Sequence, residues 1–331
     1  MSRSDQRPMT ALQAPTLTVG PLQYWWPRQT LMHFYAELAD SPAHAIVLGE
    51  VTCSRRNEFS LEDWLAIARE LQQAGKRVRL ASMPLLMSEA ELRGLRRLAE
   101  AALSADTPMD FEAGDASALQ VWHGLTRELP AQERRSQLVL GPHINVYNRP
   151  ALEELASLGA GVWVPPAEMS LAALARCNPP LDPVQALGRP VATELLAFGR
   201  MPLAFSARCF TARHHRLSKD QCEFRCRDDA DGLLLRTSEG QPFLALNGIS
   251  TQSAGLQCLL QEHEAVRAAG VKALRLSPCS GGFSRVLALF DAVYRQGADA
   301  DEALAELQTL DLPGSLVHGF AHLQPGMQAL A

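Results

Sequence analysis

No run of about eighteen apolar residues occurs in this 331-residue chain, so no segment reads as a membrane-spanning helix. The opening MSRSDQRPMTALQAPT has no apolar core of the kind a secretory signal carries. Residues 1–14 are therefore expected to form a disordered N-terminal tail, and a cytoplasmic, reducing location is expected. There is no excess of positive charge: the net charge is −5 and the pI is near 6.0, which argues against polyanion binding as the main activity, and no nucleic-acid partner is expected. No glycine-rich phosphate fingerprint follows the first strand-like segment, which disfavours a nucleotide-binding open sheet. Neither H-E-x-x-H nor G-x-S-x-G occurs, so two common hydrolase centres are excluded. Low-complexity tracts are also missing. The seven cysteines are odd in number, so they cannot all pair, and clustered thiols in a reducing compartment more often bind metal or do redox work.

What is present is a strand–helix rhythm in a chain that is 47% hydrophobic, ample for a large core. Strand-like segments lie at 16–20, 43–49, 77–82, 109–114, 137–145, 161–165, 190–198 and 273–278. Amphipathic stretches separate most of them. SLEDWLAIARELQQAG places Ser60 as an N-cap with Asp63 three residues on and Gly75 as the stop. SEAELRGLRRLAEAAL sets Leu92, Leu95 and Leu98 at helical spacing. Such alternation implies right-handed βαβ units, and eight strands predict an α/β fold of the (β/α)8 TIM-barrel type. Residues 15–331 are expected to form one domain, with an insertion at about 199–250 after the seventh strand. Within it, GLLLRTSEGQPFLALNG reads as a hairpin turning near Glu239–Gly240. Helix is expected to resume at about 254, in AGLQCLLQEHEAVRAAG, and after the eighth strand in FSRVLALFDAVYRQG.

The insertion holds Cys209, Cys222 and Cys226 in SARCFTARHHRLSKDQCEFRC. The four-residue spacing of Cys222 and Cys226 would put both thiols on one helix face. A tetrahedral ion needs a fourth ligand. Cys53, just past the second strand in LGEVTCSRR, sits on the same C-terminal rim as the insertion; Cys279, after the last strand, is the second choice. Cys177 and Cys258, in helical patterns, read as core residues. A four-cysteine set suits zinc or an iron–sulfur cluster, and the dispersed ligands favour the cluster. Arg55, Arg56, Arg208, Arg213, Arg216, Lys219, Arg225 and Arg227 flank these cysteines and would offset the charge of four thiolates. The bland alternative is a set of reduced, unliganded thiols in a solvated basic loop.

Further rim positions are weaker. His143, Asn145 and Asn148 follow the fifth strand as substrate contacts, or as a core histidine and a helix cap. Glu168 reads as a first-turn residue of a helix beginning after Pro166. Glu194 lies within a strand, where a carboxylate is either paired or functional. Tyr24, Trp25 and Trp26 read as core, interface or a surface for an aromatic ligand. His214 and His215 read as metal ligands or, as neighbours in a cationic loop, as solvated side chains.

ELLAFGRMPLAFSARCF resembles the signature region of the collagenase-like peptidase family: Glu194, Gly199 and Cys209 match, but no cysteine stands near Pro202. With YWWP, LGEVTCSRR, PLAFSARCFTAR, KDQCEFRC, LALNGISTQSAG and LRLSP, it is similar to the UbiV branch of that family over most of residues 24–278. That resemblance implies a [4Fe–4S] cluster on Cys53, Cys209, Cys222 and Cys226. It implies a heterodimer with a UbiU-like partner and a role as subunit of an oxygen-independent hydroxylase of the ubiquinone ring rather than as a peptidase. It also implies a prenylated quinone precursor as substrate, brought by a lipid-binding accessory protein, with prephenate as oxygen donor. An RNA-base hydroxylase of the same superfamily and a zinc-stabilised adaptor are the alternatives.

Overall fold

The computed structural model describes residues 14–103 and 108–329. The tail expected over 1–14 falls, apart from Ala14, outside the described residues.

Eight parallel strands close on themselves. They are β1 (Thr16–Val19), β2 (Ala45–Leu48), β3 (Arg77–Ala81), β4 (Asp110–Ala113), β5 (Leu138–Leu140), β6 (Ala160–Trp163), the first half of β7 (Ala192–Phe205), and β11 (Ala273–Leu276). Each pairs in parallel with the next, β7 pairs with β6 and β11, and β11 pairs with β1. This is the expected TIM-type barrel. Helices α1 (Arg28–Ala39), α2 (Leu61–Gln73), α3 (Glu89–Ala102), α4 (Ala116–Thr126), α5 (Arg149–Ser157) and α6 (Leu171–Cys177) follow the first six strands. The starts of α2 to α6 carry side-chain caps, those at Ser60 and Asn148 as their sequences foretell. Ser60 and Asp63 form a reciprocal capping box on α2, and Ser88, Asp115, Asn148 and Ser170 cap the next four.

The period-two pattern sorts each strand into two faces. Leu17, Ile46, Leu48, Leu80, Phe111, Leu138, Leu140, Trp163, Leu195 and Leu274 face the helices and form the main core. Inside the ring, Val47 and Ala81 make one small apolar patch, and Val139, Val162 and Val164 another. Between them lies a buried ionic lattice. Arg79 of β3 donates to Glu112 at 3.1 Å and to both carboxylate oxygens of Glu194 at 3.0 Å. Arg275 of β11 donates to Glu112 at 2.8 and 2.5 Å and to Glu194 at 2.8 Å. Thr18 Oγ1 adds a hydrogen bond to Glu194 at 3.1 Å. Two guanidinium groups and two carboxylates cancel. Burial pushes the Glu194 carboxyl up, but Arg79 and Arg275 outweigh it and hold the group at about 2. The acid at position 194 is thus ion-paired.

Strand β7 does not stop at the rim. At Gly199, where φ is +114° and a Cβ would lie 2.5 Å from the Ser277 side chain, it bends out of the barrel and runs on to Phe205. There it pairs antiparallel with β10 (Ser250–Cys258). Strands β8 (Leu233–Arg236) and β9 (Pro242–Asn247) form the expected hairpin and complete an antiparallel flap. The helix expected from about 254 is a strand as far as Cys258, and only α8 (His263–Ala268) is helical. Cross-strand pairing with β7 overrides a helical spacing that local sequence cannot distinguish from an apolar strand. Cys258 is buried as expected, but on this strand. A short strand, β12 (Leu316–Val317), adds to β10 in parallel.

Glu194→Ala strands Arg79 and Arg275 in the interior and is expected to cost about 3–5 kcal/mol in chemical denaturation, the usual cost of breaking a buried ion pair. Because the folded pKa of Glu194 is depressed to about 2, its contribution is fully present above the unfolded value of about 4.3 and drains as pH falls toward 2. The difference in stability between wild type and the conservative variant Glu194→Gln is therefore expected to shrink over that interval and to be constant from pH 5 to 7. A difference that instead grows on acidification refutes the pairing.

Candidate cofactor site at the barrel rim

Cys53, Cys209, Cys222 and Cys226 line one small cavity together with Trp25, Arg55, Arg56, Phe224 and Gly248. Cys53 comes from the loop after β2, and the other three from the insertion beyond β7. All four are half-buried and free of disulfides.

The Cys53 loop is shaped by an acid. Glu50 Oε1 accepts from the backbone N–H of Thr52 at 2.7 Å and of Cys53 at 2.9 Å. Arg56 closes the turn: its N–H donates to the Cys53 carbonyl at 2.9 Å, and its guanidinium, 3.9 Å from Glu50, donates to the Gln23 carbonyl at 2.7 Å and to Asn247 Oδ1 at 2.6 Å. One buried cation thereby ties the β1 loop, the β2 loop and the end of β9. Gly248 has φ of +63°, and a Cβ there would sit 3.0 Å from the Arg56 guanidinium, so the flap approaches this cation through a residue without a side chain. Neighbouring Arg55 reaches the insertion, donating to the carbonyls of Lys219 and, at 3.0 Å, Asp220.

Cys209 takes the N-cap position of α7 (Phe210–His214), its sulfur accepting from Ala212 N at 3.4 Å. Cys222 and Cys226 do not share a helix. A 3-10 turn, Lys219–Gln221, ends at Cys222. Glu223 and Phe224 then both adopt left-handed backbone, with φ of 50° and 55°, before a second 3-10 turn, Arg225–Arg227, carries Cys226. The expected helix is broken because Phe224 is claimed elsewhere. Its ring meets Trp25 edge-on at 4.8 Å between centroids, and Arg227 lies over Trp25 at 3.9 Å. Two consecutive left-handed residues without glycine are strained, a feature concentrated at ligand-holding sites.

Burial pushes the Cys53 and Cys226 thiols up, against the opposing pull of Arg56, and each also feels the Cys209 sulfur. They are therefore protonated thiols at neutral pH until a metal displaces the protons. A four-thiolate zinc site needs sulfurs about 3.8 Å apart, from a zinc–sulfur bond of about 2.3 Å in a tetrahedron. Among the described residues no three of these four sulfurs lie within 4.8 Å of one another. A multi-iron cluster takes thiolates farther apart, accepts hydrogen bonds such as that from Ala212 N, and is favoured by the surrounding cations. The donor chemistry fits such a group.

The remaining expected positions separate. His143 lines a cavity of about 40 Å³ at the barrel mouth with Glu112, Phe205 and Arg275; it meets Phe205 edge-on at 4.6 Å, and burial pushes its pKa down to about 4. Asn145 is exposed and does not line that cavity. Asn148 is the α5 cap. Glu168 is not in a helix: it occupies the turn before the Ser170 cap of α6 and accepts from the Tyr147 hydroxyl. Cys279 is buried, hydrogen-bonds to the Gly281 carbonyl at 3.2 Å, has its thiol pushed up to about 12 by burial, and does not line the cysteine cavity. Cys177 is core. His214 and His215 are exposed.

Two features escaped the sequence reading. One is Glu50, whose only local signal is an acid three residues before a cysteine in a loop. The other is a groove of about 630 Å³ between α2 and α3, lined by Trp64, Leu86, Leu95, Leu98, Glu62, Glu91 and Arg97. Arg56 lines both this groove and the cysteine cavity. Among the described residues, no helix is long and apolar enough to cross a membrane.

Solved structures with a similar barrel include the U32 peptidase Mk0906, at 12% identity and TM-score 0.44, covering 84% of this chain and 99% of that one. The tryptophan synthase alpha-subunit (D110A mutant) of Pyrococcus furiosus matches at 13% identity and TM-score 0.44, over 89% of this chain and 97% of that one. The Bacillus megaterium spore cortex-lytic enzyme SleL matches at 8% identity and TM-score 0.44, over 86% and 75% respectively. The profile of peptidase family U32 matches residues 30–313, and the chain belongs to that family.

Proposed function

We propose that this chain is an iron–sulfur subunit of an oxygen-independent hydroxylase acting on the ubiquinone ring, paired with a UbiU-like partner. The observation that carries the cofactor assignment is the convergence of Cys53 with Cys209, Cys222 and Cys226, from two remote segments, on one cavity. Cys53, Cys209, Cys222 and Cys226 would hold a [4Fe–4S] cluster, which supplies one-electron transfer when bound. The quinone assignment, the partner and prephenate as donor rest on the resemblance of the motifs around these cysteines to the UbiV branch.

The chain's own residues then have defined tasks. Glu50 and Arg56 fix the Cys53 loop, and Trp25 and Phe224 screen the cavity from water. The barrel mouth, at about 40 Å³, has room for only a few water molecules. The α2–α3 groove, at about 630 Å³, has the size and mixed apolar and polar lining of a small-molecule site. We place the aromatic substrate there, against the Arg56 wall, rather than at His143.

Anaerobically purified protein is expected to contain iron and acid-labile sulfide in equal amounts with broad visible absorption. Cys53→Ala is expected to lose this together with quinone production in cells. Zinc without sulfide would support the adaptor reading instead, and full iron content in Cys53→Ala would remove Cys53 from the ligand set.

Gly94 on α3 faces the groove, and a Cβ added there meets nothing within 4 Å. Gly94→Phe projects a ring into the groove and replaces a helix-interior glycine, which on propensity alone gains about 0.5 kcal/mol. It is expected to keep full iron content and thermal stability while lowering ring hydroxylation by at least about tenfold, since the ring obstructs the substrate. Unchanged hydroxylation would place the substrate elsewhere.

A further inference from the structure

Away from the cysteines, the end of the chain brings two imidazoles and a carboxylate together. His318 and His322 bracket the 3-10 turn Gly319–His322, and Glu262 stands just before α8. One ligand atom from each of the three lies within 4.8 Å of the other two, and all three side chains are half-buried. His322 Nε2 is 2.9 Å from Glu262 Oε1, and the two imidazole centroids are 5.5 Å apart at 74°.

The backbone around them is closely specified. Leu316 and Val317 pair with Leu256 and Gln257. Phe320 packs on Leu196, Met201 and Val317, and Ala321 is part of the main core. The His318 N–H donates to the Gln328 carbonyl at 3.1 Å and the Gln324 N–H to the Gly319 carbonyl at 2.9 Å. A Cβ on Gly319 would fall 2.0 Å from the Pro325 carbonyl oxygen, so this turn has no room to rearrange. The two imidazoles are thus presented at fixed positions toward Glu262, which arrives from a segment 60 residues earlier.

We infer that Glu262, His318 and His322 form a binding site for a divalent transition-metal ion, zinc in the first instance. Two imidazole nitrogens and one carboxylate oxygen are a known zinc donor set, and three protein ligands leave a position for water. At metal–ligand bonds of about 2.0–2.2 Å, ligand atoms of a tetrahedral ion lie about 3.4 Å apart, which small side-chain rotations reach from the observed spacing. Imidazole and carboxylate are harder donors than thiolate, so this site is chemically distinct from the cysteine cavity. A bound ion closes the 60-residue span between Glu262 and His322 and staples the terminal segment to the barrel wall.

The test uses the full chain, purified anaerobically with its native metal content, freed of loosely held ions by a mild chelator, and titrated with zinc chloride. Calorimetry and metal analysis are expected to show one zinc per chain with low-micromolar or tighter affinity and no loss of iron. His318→Gln and His322→Gln keep polar side chains of similar size, and each is expected to weaken zinc binding by at least about tenfold. Hydrogen exchange over 316–329 is expected to slow on zinc addition in wild type and not in the variants. Absence of zinc binding at this affinity overturns the inference. So does equal binding in wild type and both variants, which would put the ion elsewhere, or unchanged exchange over 316–329 in zinc-loaded wild type.

Discussion

The fold is organised around the neutral lattice of Arg79, Glu112, Glu194 and Arg275. Four charged side chains fill the middle of the barrel where most such barrels are packed with branched aliphatics. Removing any one leaves a buried charge without a counterpart, so the four strands that carry them must stay in register. The lattice also makes the barrel centre unsuited to bulky ligands: its two guanidinium and two carboxylate groups are paired with one another, and the cavity above them is small. The proposed chemistry accordingly lies outward, at the rim loops and in the groove between α2 and α3.

At the rim, the same residue type does a different job. Arg55 and Arg56 are adjacent in sequence yet serve two partners, one holding the insertion and the other the flap and the β1 loop. Between them they set where Cys53 stands relative to Cys209, Cys222 and Cys226. The aromatic pair Trp25 and Phe224 adds a dry wall, and the left-handed backbone at Glu223 and Phe224 is the local cost of placing that ring. This arrangement is a fixed scaffold assembled from remote segments, which is how loops on a barrel usually build a site.

Much of this was legible locally. Eight strands follow from short apolar runs at regular spacing, and the helix starts follow from Ser60, Ser88 and Asn148 acting as caps. The hairpin follows from Glu239–Gly240. The barrel prediction then placed Cys53 on the same rim as the insertion, where it is found. What was illegible depended on partners distant in sequence. Residues 254–258 carry an apolar spacing compatible with helix or strand, and only pairing with β7 decides. The Cys222–Cys226 spacing suits one helical turn until Trp25 captures Phe224. Glu194 reads as either paired or functional until Arg79 and Arg275 meet it across the barrel. Glu50 offers no periodic signal, and a groove between two helices has no sequence signature.

Arg56 forms the partition between the sulfur-lined cavity and the α2–α3 groove, and a single guanidinium has one positive charge to distribute. With the proposed cluster held by the cysteines, an anion arriving in the groove would compete for the charge that offsets electrons stored beside Cys226. Occupancy of one compartment and reduction in the other would then be thermodynamically linked, and by reciprocity each would bias the other to the same degree.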